Sequence, residues 1–128
     1  MDRFDTDPLY TPAPVRLARP LIARFVHAPE CPPEHRWHAR TTLPVLALFV
    51  SMCAEPTSRG LDWGALDPDG LLRASMDCED DERAFLRDLL DVSASFYAFL
   101  GREGLVSEAR SRELRAQLAR LALGVTRR

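Results

Sequence analysis

Residues 80–101 read DDERAFLRDLLDVSASFYAFLG, and the spacing of their apolar side chains decides the fold. Phe85, Leu89, Val92, Phe96 and Phe99 recur three or four residues apart, the period of one helix face, with Leu86, Leu90 and Tyr97 widening the stripe. Asp81, Glu82, Arg83, Arg87, Asp88 and Asp91 occupy the remaining arc. A helix apolar over so wide an arc has to be covered on more than one side. The stretch therefore predicts the central helix of an all-α, single-domain bundle.

Moving outward, the flanking segments supply the covering helices. Towards the C-terminus, Gly104 suits a left-handed helix end, with Leu105 expected to tuck back on the preceding helix. Ser107 then caps a last helix to about Leu123, whose narrow apolar stripe is Leu114, Leu118 and Leu121. On the other side, Asp67-Pro68-Asp69 is a helix start: an acidic cap, a proline in the first turn and a second acid for the helix dipole. That short helix is expected to reach about Met76, with Leu71, Leu72 and Met76 inward, and the acidic link 77–81 to cap the central helix.

Leu43 to Glu55 reads as a mostly buried helix with Val45, Leu46, Leu48, Phe49, Met52 and Cys53 inside, capped by Thr41 or Thr42, with Pro44 in its first turn. A further helix from about Arg19 to His27 places Pro20 in the first turn and stops at Pro29. Leu61, Trp63 and Leu66 anchor the link between residues 56 and 67. About five helices result: an extended proline-rich arm at 1–14 that Phe4, Leu9 and Tyr10 pin to the body, a helical domain at 15–124, and a basic tail at 125–128. No 20–50-residue period repeats, and no alternating run predicts a sheet.

Composition narrows the function classes. The chain has 128 residues, 46% hydrophobic and 28% charged, with a net charge of -2. This is an ordinary soluble domain, and the charge is too small to name a partner. The acidic, proline-rich start does not resemble a secretory signal, and the apolar run 43–54 is too short to span a bilayer. Three widely spaced cysteines, Cys31, Cys53 and Cys78, predict reduced thiols and a cytoplasmic setting. All 17 basic residues are arginine, a bias spread over the whole chain as GC-rich codon usage spreads it.

Three constellations compete as functional sites. All three histidines lie in HAPECPPEHRWH, so His27, Cys31, His35 and His38 are the candidate zinc ligands, although their spacing follows no standard zinc pattern. No catalytic signature accompanies them, which sets an enzyme below the binding readings. The second constellation is charge. Leu61–Asp91 holds ten acids against three arginines, while 101–128 holds seven arginines against three acids. Asp80, Asp81 and Glu82 on one side and Arg110, Arg112, Arg115 and Arg120 on the other are then contact residues for other protein subunits or for a second copy of the chain. The competing reading is a solvated surface of intramolecular ion pairs. Third, helix, glycine turn and arginine-bearing helix from Phe96 to Leu121 have the outline of a helix-turn-helix, with the same four arginines on nucleic acid. Gln117 is the lone amide there for base edges, and the net acidity opposes phosphate binding.

The leading expectation is a non-catalytic helical adaptor or small complex subunit with no membrane partner. A nucleic-acid accessory subunit comes second and a metal protein third. Trp37 and Trp63 both fall in expected links, and whichever is exposed becomes the candidate binding hot spot.

Overall fold

The computed structural model describes residues 11–74 and 80–126. They form five α-helices: α1 Ala13–Phe25, α2 Arg36–Cys53, α3 Pro68–Ala74, α4 Asp80–Arg102 and α5 Glu108–Thr126. Short 3-10 turns at Pro33–His35 and Trp63–Ala65 interrupt the links. No strand occurs among the described residues, so the all-α bundle holds. The arm residues 1–10, Met76, the link 75–79 and the terminal arginines lie outside the described residues, as do the side chains of Asp80 and Asp81.

α4 is the centre. Leu86, Leu89, Leu90, Val92, Phe96, Tyr97, Phe99 and Leu100 are all buried, and α5 lies along α4 as its most extensive neighbour, with α2 on another side. Phe96 gathers the aromatic core. Its ring centroid lies 5.2 Å from Phe25 of α1, 5.1 Å from Trp63, 6.0 Å from Phe99 and 6.3 Å from Tyr97. Most of these contacts are edge-to-face, the arrangement ring quadrupoles favour. Arg24 and Arg102 lie over Phe99, at 5.8 and 5.6 Å from its centroid. Arg24 is held by Glu103 and Arg102 by Glu30, so two ion pairs shield that end of the core from water. The Arg102 guanidinium also holds the Glu30 carboxyl below the ordinary carboxylate range.

The α4–α5 turn follows the sequence expectation. Gly104 takes φ +78, Leu105 N–H donates to Leu100 O and Gly104 N–H to Gly101 O, the paired bonds of a Schellman end. Ser107 Oγ accepts from Arg110 N–H and caps α5. Leu105 stays half exposed, and it is Val106 that turns into the core.

Other boundaries move. α1 begins at Ala13 rather than Arg19, with Pro14 in the first turn, so Pro20 sits inside the helix on its exposed side. α2 begins at Arg36 rather than Leu43, with Pro44 inside it. Thr41 and Thr42 are therefore not caps: both hydroxyls donate to the His38 carbonyl within a continuous helix, at 3.0 and 2.6 Å. Each interior proline removes one helix bond, about 3 kcal/mol in an isolated helix. Burial on both sides of each proline offsets it, through Ala18, Ile22 and Phe25 in α1 and Ala39, Leu43, Leu46 and Val50 in α2. α5 continues to Thr126, so Val125 packs as a helical residue and not as part of a tail.

A glycine sets the α4–α5 spacing. A Cβ on Gly101 would stand 2.7 Å from Ser111 Oγ and 2.8 Å from Ser111 Cβ. Ser111 is itself buried, and its hydroxyl donates to the Tyr97 carbonyl at 2.7 Å. Helix propensity alone favours alanine over glycine by about 1 kcal/mol. Overpacking a buried contact costs about 1–3 kcal/mol and wins. Gly101→Ala is expected to lower stability in urea denaturation, whereas Gly104→Ala, in open space, loses only through its backbone conformation.

Tyr97 gives a pH signature. Its phenol donates to the Trp63 carbonyl at 2.6 Å inside the core, and burial pushes its pKa far up. The folded state thus holds the proton more tightly than the unfolded chain does. This contribution is complete below the unfolded value of about 10 and falls away as pH rises above it. The stability difference between wild type and Tyr97→Phe, about 1 kcal/mol at pH 8, should therefore narrow at pH 11 in matched urea titrations. A constant difference would contradict the burial of a neutral phenol.

Candidate interaction surface

The structure separates the histidine cluster. His27 lies exposed beyond α1, and Cys31 turns into the core, where burial pushes its thiol pKa up and its Sγ contacts the Pro32 carbonyl at 3.6 Å. His35 is half buried, its Nδ1 lacking a hydrogen-bond partner, while His38 on α2 faces Asp88 of α4 at 3.4 Å. With His27 exposed, Cys31 buried and His38 engaged with Asp88, the four donors are divided between solvent, core and the α2–α4 contact. No group of three or more His, Cys, Asp or Glu side chains converges on a metal-sized site among the described residues.

The arginine face is likewise divided. Arg110 turns towards the 61–66 link: Nε donates to Gly64 O at 2.9 Å, Nη2 to Leu66 O at 3.0 Å, and Nη1 to Glu113. Three of its five N–H donors have protein partners, so Arg110 forms one wall of a ≈380 Å³ hollow beside Asp62 and Ser107 with its guanidinium held against the link. Arg112 pairs with Glu108 one turn back, Arg115 is half buried, and Arg120 is exposed. On α4, Glu82 is exposed. Arg110 and Arg112 thus find their acids on α5 itself, in surface pairs worth at most about 1 kcal/mol each, so those two arginines are engaged while the charge difference between the two segments stays as the sequence has it.

What the charge pattern did not point to is the outer side of α2. The expectation of a mostly buried helix is corrected here: Val45 and Leu48 are each 38% exposed, Met52 is 80% exposed, and Cys53 also faces water. The helix is buried on one side only, through its own Ala39, Thr42, Leu43, Leu46, Ala47 and Val50. Opposite that face, Trp37, Thr41, Val45, Leu48 and Met52 follow one another at intervals of four, four, three and four residues. At 100° per residue they form one narrow stripe. Trp37 is 72% exposed, whereas Trp63 is 3% exposed within the aromatic core. Phe85 of α4, expected inside, is also 40% exposed.

The stripe carries no charge, in a chain where more than a quarter of residues are charged. Its polar atoms are satisfied locally: Thr41 Oγ1 bonds to the His38 carbonyl, and neighbouring Ser51 Oγ to the Leu48 carbonyl at 2.6 Å. Such a surface loses little hydrogen bonding when water is removed from it. Beside it, a ≈310 Å³ groove runs between α1 and α2, lined by Val15, Arg19, Ile22, Ala23, Val26, Arg40 and Pro44. The sequence signal for the stripe was present in Trp37 and Met52, but an apolar residue on a helix reads as core until the covering side is known.

No helix among the described residues is long and apolar enough to cross a membrane. The chain matches no family model, no curated protein and no solved structure.

The internal role of Arg110 is testable. Arg110→Ala leaves two part-buried carbonyls without their charged donor and should lower stability by roughly 1–2 kcal/mol. Arg112→Ala and Arg120→Ala should each change it by less than about 0.5 kcal/mol. Equal effects in chemical denaturation would return Arg110 to the free surface.

Proposed function

We propose that this protein is a non-catalytic interaction module of the cytoplasm, an adaptor or small subunit that engages another protein through the outer stripe of α2. The observation that carries this reading is Trp37, standing 72% exposed at the head of an uncharged apolar row. Scattered exposed apolar residues are normal on any protein, but an ordered row with tryptophan at one end is how binding surfaces concentrate their energy. The contact surface therefore moves from the charged regions of α4 and α5 to α2. The nucleic-acid alternative falls behind because Arg110 serves the fold, Arg112 is paired with Glu108 and Arg115 is half buried, which thins the basic face that a phosphate backbone would need.

The experiment compares wild type with Trp37→Ala and Met52→Ala as tagged proteins in the cell that makes them, with quantitative mass spectrometry of what each retains. Both side chains are too exposed for truncation to cost more than about 0.5 kcal/mol of stability, so melting temperatures should match. Retention of the specific partner should fall at least tenfold for Trp37→Ala, the loss of a hot spot of about 2 kcal/mol. Undiminished retention with both variants would overturn the reading.

A further inference from the structure

Apolar side chains line the groove between α1 and α2, and an arginine stands on either wall. Val15, Ile22, Val26 and Pro44 supply the apolar lining, Arg19 belongs to α1 and Arg40 to α2, and the volume is ≈310 Å³. Both arginines are exposed, and neither has a carboxylate partner among the described residues. A groove of this kind suits an extended segment that carries acids between apolar side chains. The residues that precede the described chain, MDRFDTDPLY at 1–10, have that composition: Asp2, Asp5 and Asp7 against Arg3, with Phe4, Leu9 and Tyr10 among them. We propose that this segment is the occupant of the groove, lying along it within the same chain and pairing Asp7 with Arg19 and Asp5 with Arg40. The inference is independent of the α2 stripe and gives the face beside it an internal partner.

The point where the segment joins α1 sets its reach. Arg16 Nη1 donates to the Thr11 carbonyl at 2.9 Å, and Pro12 is extended at φ -56 and ψ 142, so the segment starts from the Val15 end of the groove. Val15 to Val26 spans about 16 Å along α1. Tyr10 back to Phe4, as polyproline helix, covers about 19 Å. That register puts Tyr10 beside Val15, Asp7 near Arg19, Thr6 level with Ala23 and Phe4 just past Val26. Polyproline helix turns once in about three residues, so Phe4, Asp7 and Tyr10 share a face. Ring, acid and ring then meet apolar, basic and apolar positions of the α1 wall. Pro8 disfavours a helical Asp7 and favours the extended form. Attachment also favours this occupant over a free acidic peptide, because a tethered segment meets its site at an effective concentration on the order of millimolar.

Disulfide trapping on the full chain, in a Cys53→Ser/Cys78→Ser background, tests this. Thr6→Cys is combined either with Ala23→Cys in the groove or with Leu17→Cys. Both partner positions are exposed, and Leu17 is nearer the root of the segment but about 160° round α1 from Val15. Tethering alone favours the Leu17→Cys pair. Docking should make the Ala23→Cys pair close faster by about tenfold or more on mild oxidation, within one chain. Asp5→Arg/Asp7→Arg should slow that closure about threefold, as should Arg19→Glu/Arg40→Glu, and the four together should restore it. Raising salt to about 0.5 M should slow it as well. Circular dichroism checks the groove variants, and if they misfold the arm variants, which leave the bundle untouched, decide. A Leu17→Cys pair that closes as fast as the Ala23→Cys pair overturns the docking. Closure between chains gives the groove to a second copy's segment and overturns the internal contact. Closure indifferent to Asp5→Arg/Asp7→Arg overturns the charge pairing that places the segment.

Discussion

Enclosure of α4 is the constraint under which every other element is placed. Phe96 lies among four other rings, and those rings come from three places: Phe25 from α1, Trp63 from the irregular link, Tyr97 and Phe99 from α4 itself. Removing any contributor would open a hole beside a fully buried side chain, where each lost methylene is felt. α5 seals the remaining side, approaching closely because Gly101 offers no side chain to Ser111. The helices are thus positioned by what α4 needs covered, and the surfaces they turn outward are left open to other uses.

That division explains which parts could be read in advance. The central helix, the Gly104–Ser107 turn and the start of α3 were legible because each has a local physical cause: a period, a positive φ, a cap. The starts of α1 and α2 were not. Pro20 and Pro44 read as first-turn residues under local rules, yet tertiary burial of Ala18, Ile22, Leu43 and Leu46 carries both helices through the missing bonds. The outward row on α2 was hidden for a related reason. Val45, Leu48 and Met52 carry the same hydrophobicity as Leu43, Leu46 and Val50, and only the placement of neighbouring helices separates the two sets. The ligand-like cluster around Cys31 and the arginine face of α5 were visible as residue types. Sequence gave no way to know that Cys31 turns inward or that Arg110 reaches the Gly64 and Leu66 carbonyls.

The surface chemistry of the bundle is correspondingly uneven. α4 and α5 present mixed charge, with Asp88 facing His38, Arg102 held by Glu30, and Arg110 and Arg112 paired along α5 itself. α2 presents an apolar row whose hydroxyl neighbours are already bonded to their own helix. A protein of this size has enough charged residues to cover such a row, and here they are placed elsewhere. The contrast between helices, more than any one exposed side chain, is what sets α2 apart.

One consequence follows from the way the 61–66 link is held. Its Trp63 carbonyl takes the Tyr97 phenol, the Tyr97 carbonyl takes the Ser111 hydroxyl, and its Gly64 and Leu66 carbonyls take Arg110. A stretch with almost no regular secondary structure is thereby latched to two helices at three points, and the Ser111–Tyr97 bond ties those two helices to each other. It cannot swing away without dragging a phenol and a guanidinium with it, so its amides should exchange with solvent as slowly as those of the helices it joins. Coil by shape, it behaves as part of the same cooperative folding unit as α4 and α5.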